Sequence, residues 1–317
     1  MSHTILETRD LVKYFPAPGK HGSFVKAVDK INLRLEKGQT LGLVGESGCG
    51  KSTAARTICR IYKPMSGEIM LFGADISRIN EQQLKPFRRR MQMVFQDPYS
   101  SLNGRMTVKG ILEEPLAAHG VKGNYTEMIG EMLEKVGLER EHIGRYPHEF
   151  SGGQRQRICV ARALILQPEL VICDEPISAL DVSIQAQVVN LLMRFQREQG
   201  LSYLFIAHDL SMVRYISNNV GVMYLGKIVE SCESGEIYKN PLHPYTKGLL
   251  SSVPIPDPKL ARAREPLIPE GEIPSPIDPP PGCRFNQRCK SALPRCADVD
   301  PEYKEVAPGH FCACHLF

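Results

Sequence analysis

Nowhere does this 317-residue sequence stay apolar for the roughly 18 residues that a membrane-spanning helix needs. The first residues, MSHTILETRDL, lack the apolar segment of a secretory leader. Charge of one sign is scarce too. The 39 Lys and Arg against 35 Asp and Glu leave a net +4, below the basic excess usual in nucleic-acid binders. There is no internal repeat and no coiled-coil heptad pattern. These absences predict a cytosolic chain that meets a membrane only through a partner and binds no nucleic acid. The length allows one large domain and a smaller appendage.

Ten cysteines are present. Cys49, Cys59, Cys159, Cys173 and Cys232 stand beside apolar or small neighbours and read as buried filler. The other five fall within the last 35 residues. In a cytosolic chain such clustering points to metal rather than disulfides.

Residues 5–36 read as extended segments split by a Pro/Gly loop at 16–22. Apolar runs at 41–44, 68–72, 91–95, 170–173 and 203–207 predict strands, several without alternation, as a buried parallel sheet requires. A helix is expected over 51–60, a largely helical insert between 107 and 166, and a hairpin turning near Gly226. Fifteen of the 24 prolines lie in the last 77 residues. That stretch is therefore expected to hold neither ordinary helix nor central strand, but a linker and a small stapled module.

The string Gly45-Glu46-Ser47-Gly48-Cys49-Gly50-Lys51-Ser52-Thr53 fits G-x-x-x-x-G-K-[ST], with strand before it and helix after. Its glycines allow backbone N–H groups to turn inward on phosphate oxygens, and the helix start adds its positive end. Lys51 is expected to reach the β- and γ-phosphates and Ser52 to bind Mg2+. The strand Leu170-Val171-Ile172-Cys173 ends in Asp174 and Glu175. Asp174 can hold Mg2+ through water, and Glu175 can polarise an attacking water. Gln96 and His208 each follow a strand; either can touch the nucleotide or simply end its strand. Ser151-Gly152-Gly153-Gln154 precedes a helical stretch. It is either a plain N-cap or a second phosphate-binding turn, which makes sense if it serves another subunit's nucleotide.

Taken together the strings resemble an ABC-family ATPase. GESGCGKST resembles Walker A, LVICDE Walker B, and FSGGQ the family signature, with Phe150 for the usual leucine. Gln96 sits at the Q-loop position, Ser178-Ala179-Leu180-Asp181 at the D-loop and His208 at the switch histidine. The resemblance covers roughly residues 5–235. It implies an α/β P-loop ATPase core with a β subdomain and a helical subdomain, followed by a Cys-rich extension. The expected division is 1–240 for the ATPase domain, with the helical subdomain at about 98–166, and 241–317 for linker and Cys-rich module. Phe15 best fits the aromatic that stacks on adenine, with Tyr14 second. MVFQDPYSSLN, HEFSGGQRQR, PISALDVSIQAQ and NPLHPYTKGLL are similar to the oligopeptide/dipeptide importer branch, and closest in type to its F-type ATPase subunit.

That resemblance implies a head-to-tail pair of ATPases, the second being a related D-type chain. It also implies two membrane permeases above them, an extracytoplasmic solute-binding protein acting indirectly, and a place on the cytoplasmic face of a bacterial or archaeal membrane. Gly45, Ser47, Gly48, Cys49, Gly50, Lys51, Ser52 and Thr53 would cradle ATP. Ser52, Gln96 and Asp174 would hold Mg2+. Glu175 would activate water, and His208 would sense the γ-phosphate. Ser151, Gly152, Gly153 and Gln154 would complete the partner's site. Related importers carry peptides, nickel, glutathione or other solutes, and non-transport ABC ATPases exist, but this chain has one ATPase unit and no coiled-coil insert.

The tail spacing, Cys283-x5-Cys289-x6-Cys296 and then Cys312-Ala313-Cys314-His315, suits Zn2+ or an iron–sulfur cluster and does not choose between them. The resemblance implies a [4Fe-4S] cluster on Cys283, Cys289, Cys296 and Cys314, with Cys312 spare.

Overall fold

The computed structural model describes residues 4–19, 22–178, 180–208, 210–252, 274–279 and 281–317. Residues 253–273, within the expected linker, and Ala179 of the D-loop string lie outside the described residues.

β1 (Thr4–Pro16) and β2 (Phe24–Glu36) pair antiparallel, and β4 (Ser66–Leu71) and β5 (Ala74–Asp75) extend them into a sheet ordered β2-β1-β4-β5. The main sheet contains β3 (Thr40–Val44), β6 (Met91–Val94), β7 (Leu170–Asp174), β8 (Ser202–Ile206), β9 (Asn219–Tyr224), β10 (Lys227–Glu233), β11 (Lys304–Ala307) and β12 (His310–Cys312). Its order is β11-β12-β10-β9-β3-β8-β7-β6, parallel from β9 to β6 and antiparallel beyond.

The parallel strands show no alternation in sequence because both of their faces are covered. In β7, Leu170 and Ile172 join one core, with the four-stranded sheet and α1 (Lys51–Ile58). Val171 and Cys173 join the other, with α7 (Val182–Gln199) and the helical lobe. β8 divides likewise, Leu204 and Ile206 against Tyr203 and Phe205.

The lobe is built from α3 (Pro98–Ser101), α4 (Val108–Ala118), α5 (Tyr125–Lys135) and α6 (Gly152–Leu164). Asp97, Thr107, Asn124 and Ser151 each accept a first-turn N–H, which fixes where the four helices start. Val108, Ile111, Leu112 and Leu116 of α4 recur at helical spacing and pack with Ile129, Met132 and Leu133 of α5. Three more helices pack on the main sheet: α2 (Glu81–Arg90) against β6, α8 (Leu210–Ile216) against β3 and α9 (Ser234–Lys239) against β10.

The region beyond Asn240 departs from expectation. α10 (Pro244–Ser251) is a helix. Pro244 occupies its first position, where a missing N–H leaves nothing unbonded, and His243 Nδ1 accepts from Tyr245 N. β12 pairs with β10, and β11 with β12, so the chain's end joins the main sheet at its edge. Pro308 falls between the two strands and interrupts neither ladder. No helix among the described residues is long and apolar enough to cross a membrane.

Candidate nucleotide site

The loop between β3 and α1 takes its shape from glycine. Gly45, Gly48 and Gly50 have φ of 155°, 78° and 110°. A Cβ on Gly45 would lie 2.1 Å from the Met223 carbonyl oxygen, and one on Gly50 2.0 Å from that of Ala27. Any other residue would push the loop off β9 or β2. Gly50 offers α1 no side-chain cap, so the first-turn N–H groups are left for a ligand. Lys51 is only 4% exposed. Its Nζ donates to the carbonyls of Gly45 at 2.7 Å and Glu46 at 3.0 Å, holding the cation against its own loop.

Asp174, at the tip of β7, is fully buried. Its Oδ1 accepts from Ser52 Oγ at 2.7 Å, while Oδ2 has no hydrogen-bond partner and lies 3.7 Å from Arg56 Nη2. Burial pushes its pKa up, against the pull of the Ser52 hydroxyl and Arg56. A buried carboxylate oxygen left open beside a hydroxyl is a fitting donor set for a hard divalent cation.

Glu175 adopts φ 48°, a left-handed conformation uncommon outside glycine. The turn sends its carboxylate to a different side from that of Asp174. Its Oε1 stands 3.9 Å from Lys51 Nζ. Its Oε2 accepts from Gln96 Nε2 at 2.8 Å and lies 3.8 Å from His208 Nδ1. The ends of β3, β6, β7 and β8 thus bring Lys51, Gln96, Glu175 and His208 to one place, outside the carboxyl ends of parallel strands.

A cleft of about 280 Å3 opens there, lined by the loop from Ser47 to Thr53, Gln96, Glu175, Phe15 and Pro276. Phe15 stands edge-on to Tyr62 with ring centroids 5.3 Å apart. Tyr14 is turned elsewhere, its hydroxyl donating to Asp29 Oδ1 at 2.6 Å.

The 151–154 turn is not part of this cleft. Ser151 Oγ accepts from Gln154 N at 3.3 Å and Gln154 Oε1 accepts from Ser151 N at 3.0 Å, a reciprocal cap at the start of α6. A Cβ on Gly153 would meet Ile184 at 2.6 Å, so the turn lies tight against α7. Phe150, the residue before it, is buried.

Two family profiles match the chain: "ABC transporter" over residues 28–178, and "Oligopeptide/dipeptide transporter, C-terminal region" over 229–296. The chain is 56% identical to the oligopeptide transport ATP-binding protein AppF of Bacillus subtilis, with 99% of this chain and 98% of that protein aligned. It is 53% identical to the oligopeptide transport ATP-binding protein OppF of Escherichia coli, over 93% and 88%. It belongs to the oligopeptide/dipeptide branch of the ABC transporter ATP-binding proteins. The fold agrees. A dimeric post-hydrolysis structure of the ATP-binding cassette MJ0796 with ADP and phosphate superposes with a TM-score of 0.66 at 24% identity, covering 72% of this chain and 98% of that one. The cbiO1 structure from Clostridium perfringens gives 0.64 at 25% identity, covering 75% and 92%.

In this ABC ATPase the cysteine tail adjoins the nucleotide site. Burial, with smaller contributions from Cys296, Cys314 and Cys289, pushes the Cys283 thiol up to about 11. Cys312 is fully buried in β12, and none of the five is in a disulfide. The expected four-sulfur cage is nevertheless not closed. Among the described residues no three His, Cys, Asp or Glu side chains stand close enough to hold a metal ion.

Three residues beside the site were invisible to sequence reasoning. Arg288 and Tyr245 both hold Glu46 of the phosphate loop, and Pro276 lines the cleft after its carbonyl accepts from Lys26 N at 3.1 Å. No spacing or motif links positions so far apart in sequence.

Proposed function

We propose that this ABC ATPase energises oligopeptide import as one half of a head-to-tail ATPase pair on the cytoplasmic face of a membrane, beneath two permease subunits. The observation that carries this is a division within the chain. Lys51, Ser52, Gln96 and Glu175 line one cleft, with Asp174 bonded to Ser52 and His208 beside Glu175, while the second glycine turn stands apart from that cleft. A neighbour's nucleotide fits that turn. The oligopeptide transport proteins to which the chain is 56% and 53% identical support the cargo class. Cargo choice itself falls to the permeases and to a solute-binding protein.

In this reading the N–H groups of the loop and of α1 bind the β- and γ-phosphates, and Phe15 stacks on the base. Lys51 leaves the carbonyls of Gly45 and Glu46 to meet phosphate oxygens. Ser52 and Asp174, with Gln96 at the cleft, would hold Mg2+, which when bound neutralises charge on the β- and γ-oxygens. Glu175 orients a water and takes its proton as the oxygen attacks the γ-phosphorus. The bond from γ-phosphorus to the ADP oxygen breaks, leaving ADP and inorganic phosphate. His208, beside Glu175, contacts the γ-phosphate and registers its departure. Ser151, Gly152, Gly153 and Gln154 present α6's positive end to the partner's triphosphate. Positioning and charge supply most of the rate.

The tail thiols Cys283, Cys289, Cys296 and Cys314 fit an iron–sulfur cluster in donor chemistry, being soft sulfurs held in no disulfide; zinc is the other occupant their chemistry allows. Such a site would tie the last strands to the sheet.

The test of the nucleotide reading is Lys51→Ala. Its ATP affinity, followed by calorimetry, is expected to fall at least tenfold, since a buried cation facing the phosphates is lost. Undiminished binding would show that the 45–53 loop is not the triphosphate site.

A further inference from the structure

A charged side chain of the tail reaches the phosphate loop. Arg288 lies directly before Cys289 and is 9% exposed. Its guanidinium forks the Glu46 carboxylate, Nη1 to Oε2 at 2.9 Å and Nη2 to Oε1 at 3.0 Å, and Nη1 also donates to Tyr224 Oη at 3.3 Å. The backbone of Glu46 is held as well: its N–H donates to Tyr245 Oη on α10 at 2.8 Å. Phe285 packs against both Tyr224 and Tyr245, at centroid separations of 5.3 and 5.5 Å. α10 is anchored in turn by the buried Glu230, whose carboxylate accepts from Leu242 N at 2.7 Å and His243 N at 2.9 Å and pairs with His310 of β12 at 2.8 Å. Both ends of Glu46 are therefore fixed by residues some 200 or more positions downstream.

Glu46 is a chemical oddity in its place. It puts a carboxylate inside a loop whose task is to bind a polyanion. Left unpaired it would repel the triphosphate and could fold back over the loop's N–H groups. Paired, it does neither. The fork neutralises the charge and turns it outward, and the cleft is lined by Ser47 and Gly48 but not by Glu46. The Glu46 carbonyl also accepts from Lys51 Nζ at 3.0 Å, so the orientation of residue 46 bears on the lysine that must meet phosphate.

We propose that Arg288 is a positioning residue for nucleotide binding, which by pairing with Glu46 keeps the phosphate loop open and free of competing negative charge. The inference rests on the reading of residues 45–53 as the ATP site. It makes the Cys-rich segment part of the nucleotide-binding apparatus, since Arg288 stays in place only while that segment is docked.

The experiment uses the full chain with its partners. ATP dissociation constant, KM and kcat are measured for wild type, Arg288→Ala, Arg288→Lys, the double variant Arg288→Ala/Glu46→Gln, and Lys51→Ala, each with a thermal melt. Arg288→Ala is expected to raise Kd and KM about tenfold with kcat within about twofold, less than the loss of a desolvated charge that touches the ligand itself, because Arg288 acts on the nucleotide only through Glu46. The double variant is expected to return Kd to within about threefold of wild type, because no lone carboxylate remains in the loop. Arg288→Lys keeps the charge but not the fork, and is expected to fall between. A tie that served only stability would lower the melting temperature without moving Kd, and would show no rescue by Glu46→Gln. Wild-type Kd in folded Arg288→Ala, or equal losses in single and double variants, overturns the proposal. If Arg288→Ala does not fold, wild-type Kd in Arg288→Lys overturns it equally. Should Lys51→Ala also bind ATP normally, the site assignment has failed rather than the role of Arg288.

Discussion

Replacing Glu175 by glutamine separates binding from chemistry. The amide has the shape of the carboxylate, and its carbonyl can still accept from Gln96 Nε2, now 2.8 Å from Oε2. Lys51 at 3.9 Å and His208 at 3.8 Å are beyond hydrogen-bond length, so what the change removes is charge and basicity rather than a bonded framework. The cleft's geometry should therefore survive. The loss of a positioned base slows a proton-transfer step by about 10²- to 10⁴-fold, or about 3 to 5 kcal/mol of barrier. Affinity should move the other way or not at all, since the γ-phosphate no longer faces a carboxylate and Lys51 has one less competing anion. The assay is phosphate release at saturating ATP, paired with a nucleotide titration of the same preparation. Turnover within about tenfold of wild type would remove Glu175 from proton transfer. Loss of binding together with turnover would show that it holds the loop in shape, and the division of roles between Lys51 and Glu175 would be wrong.

Two further outcomes follow from burial and from the thiols. The pKa of Asp174 is raised in the folded chain, so its stabilising contribution is complete below the usual carboxylate range and is lost as pH rises through the folded value. Nucleotide-free Asp174→Asn should therefore melt higher than wild type near neutral pH, with the gain shrinking as pH falls through the raised folded value and gone below about pH 4; a pH-independent difference, or a lower melting point, contradicts this. Protein prepared without oxygen should contain iron and acid-labile sulfide, lost together when Cys283 or Cys296 becomes serine; stoichiometric zinc without iron would assign the thiols to zinc, and neither metal would remove the site.

Much of the nucleotide site was legible because each part sits within a few residues of a strand end. The loop after β3, the carboxylates after β7 and His208 after β8 need only a parallel sheet to bring them together. Gln96, two residues beyond the end of β6, joins them through the same sheet. The apolar runs gave the strands for a matching reason: with both faces covered, every position is selected for burial. What stayed hidden depends on tertiary contacts alone. Nothing in the spelling of Arg288 or Tyr245 points to Glu46, 242 and 199 positions away. Phe15 ranked ahead of Tyr14 from position alone; that Phe15 lines the cleft while Tyr14 donates to Asp29 is a tertiary contact no sequence pattern shows. Proline density misled over α10, since density does not distinguish a helix's first position from its interior. The tail's edge strands are three and four residues long, too short for a period to show.

At the centre of the account is a nucleotide pocket that one chain cannot finish. The most direct test is the structure of the full transporter trapped with ATP through Glu175→Gln. Ser151 Oγ and the first N–H groups of α6 should then lie within about 3 Å of γ-phosphate oxygens bound to the loop of the neighbouring ATPase. A triphosphate enclosed by residues of one subunit only, with Ser151 facing solvent, would contradict it.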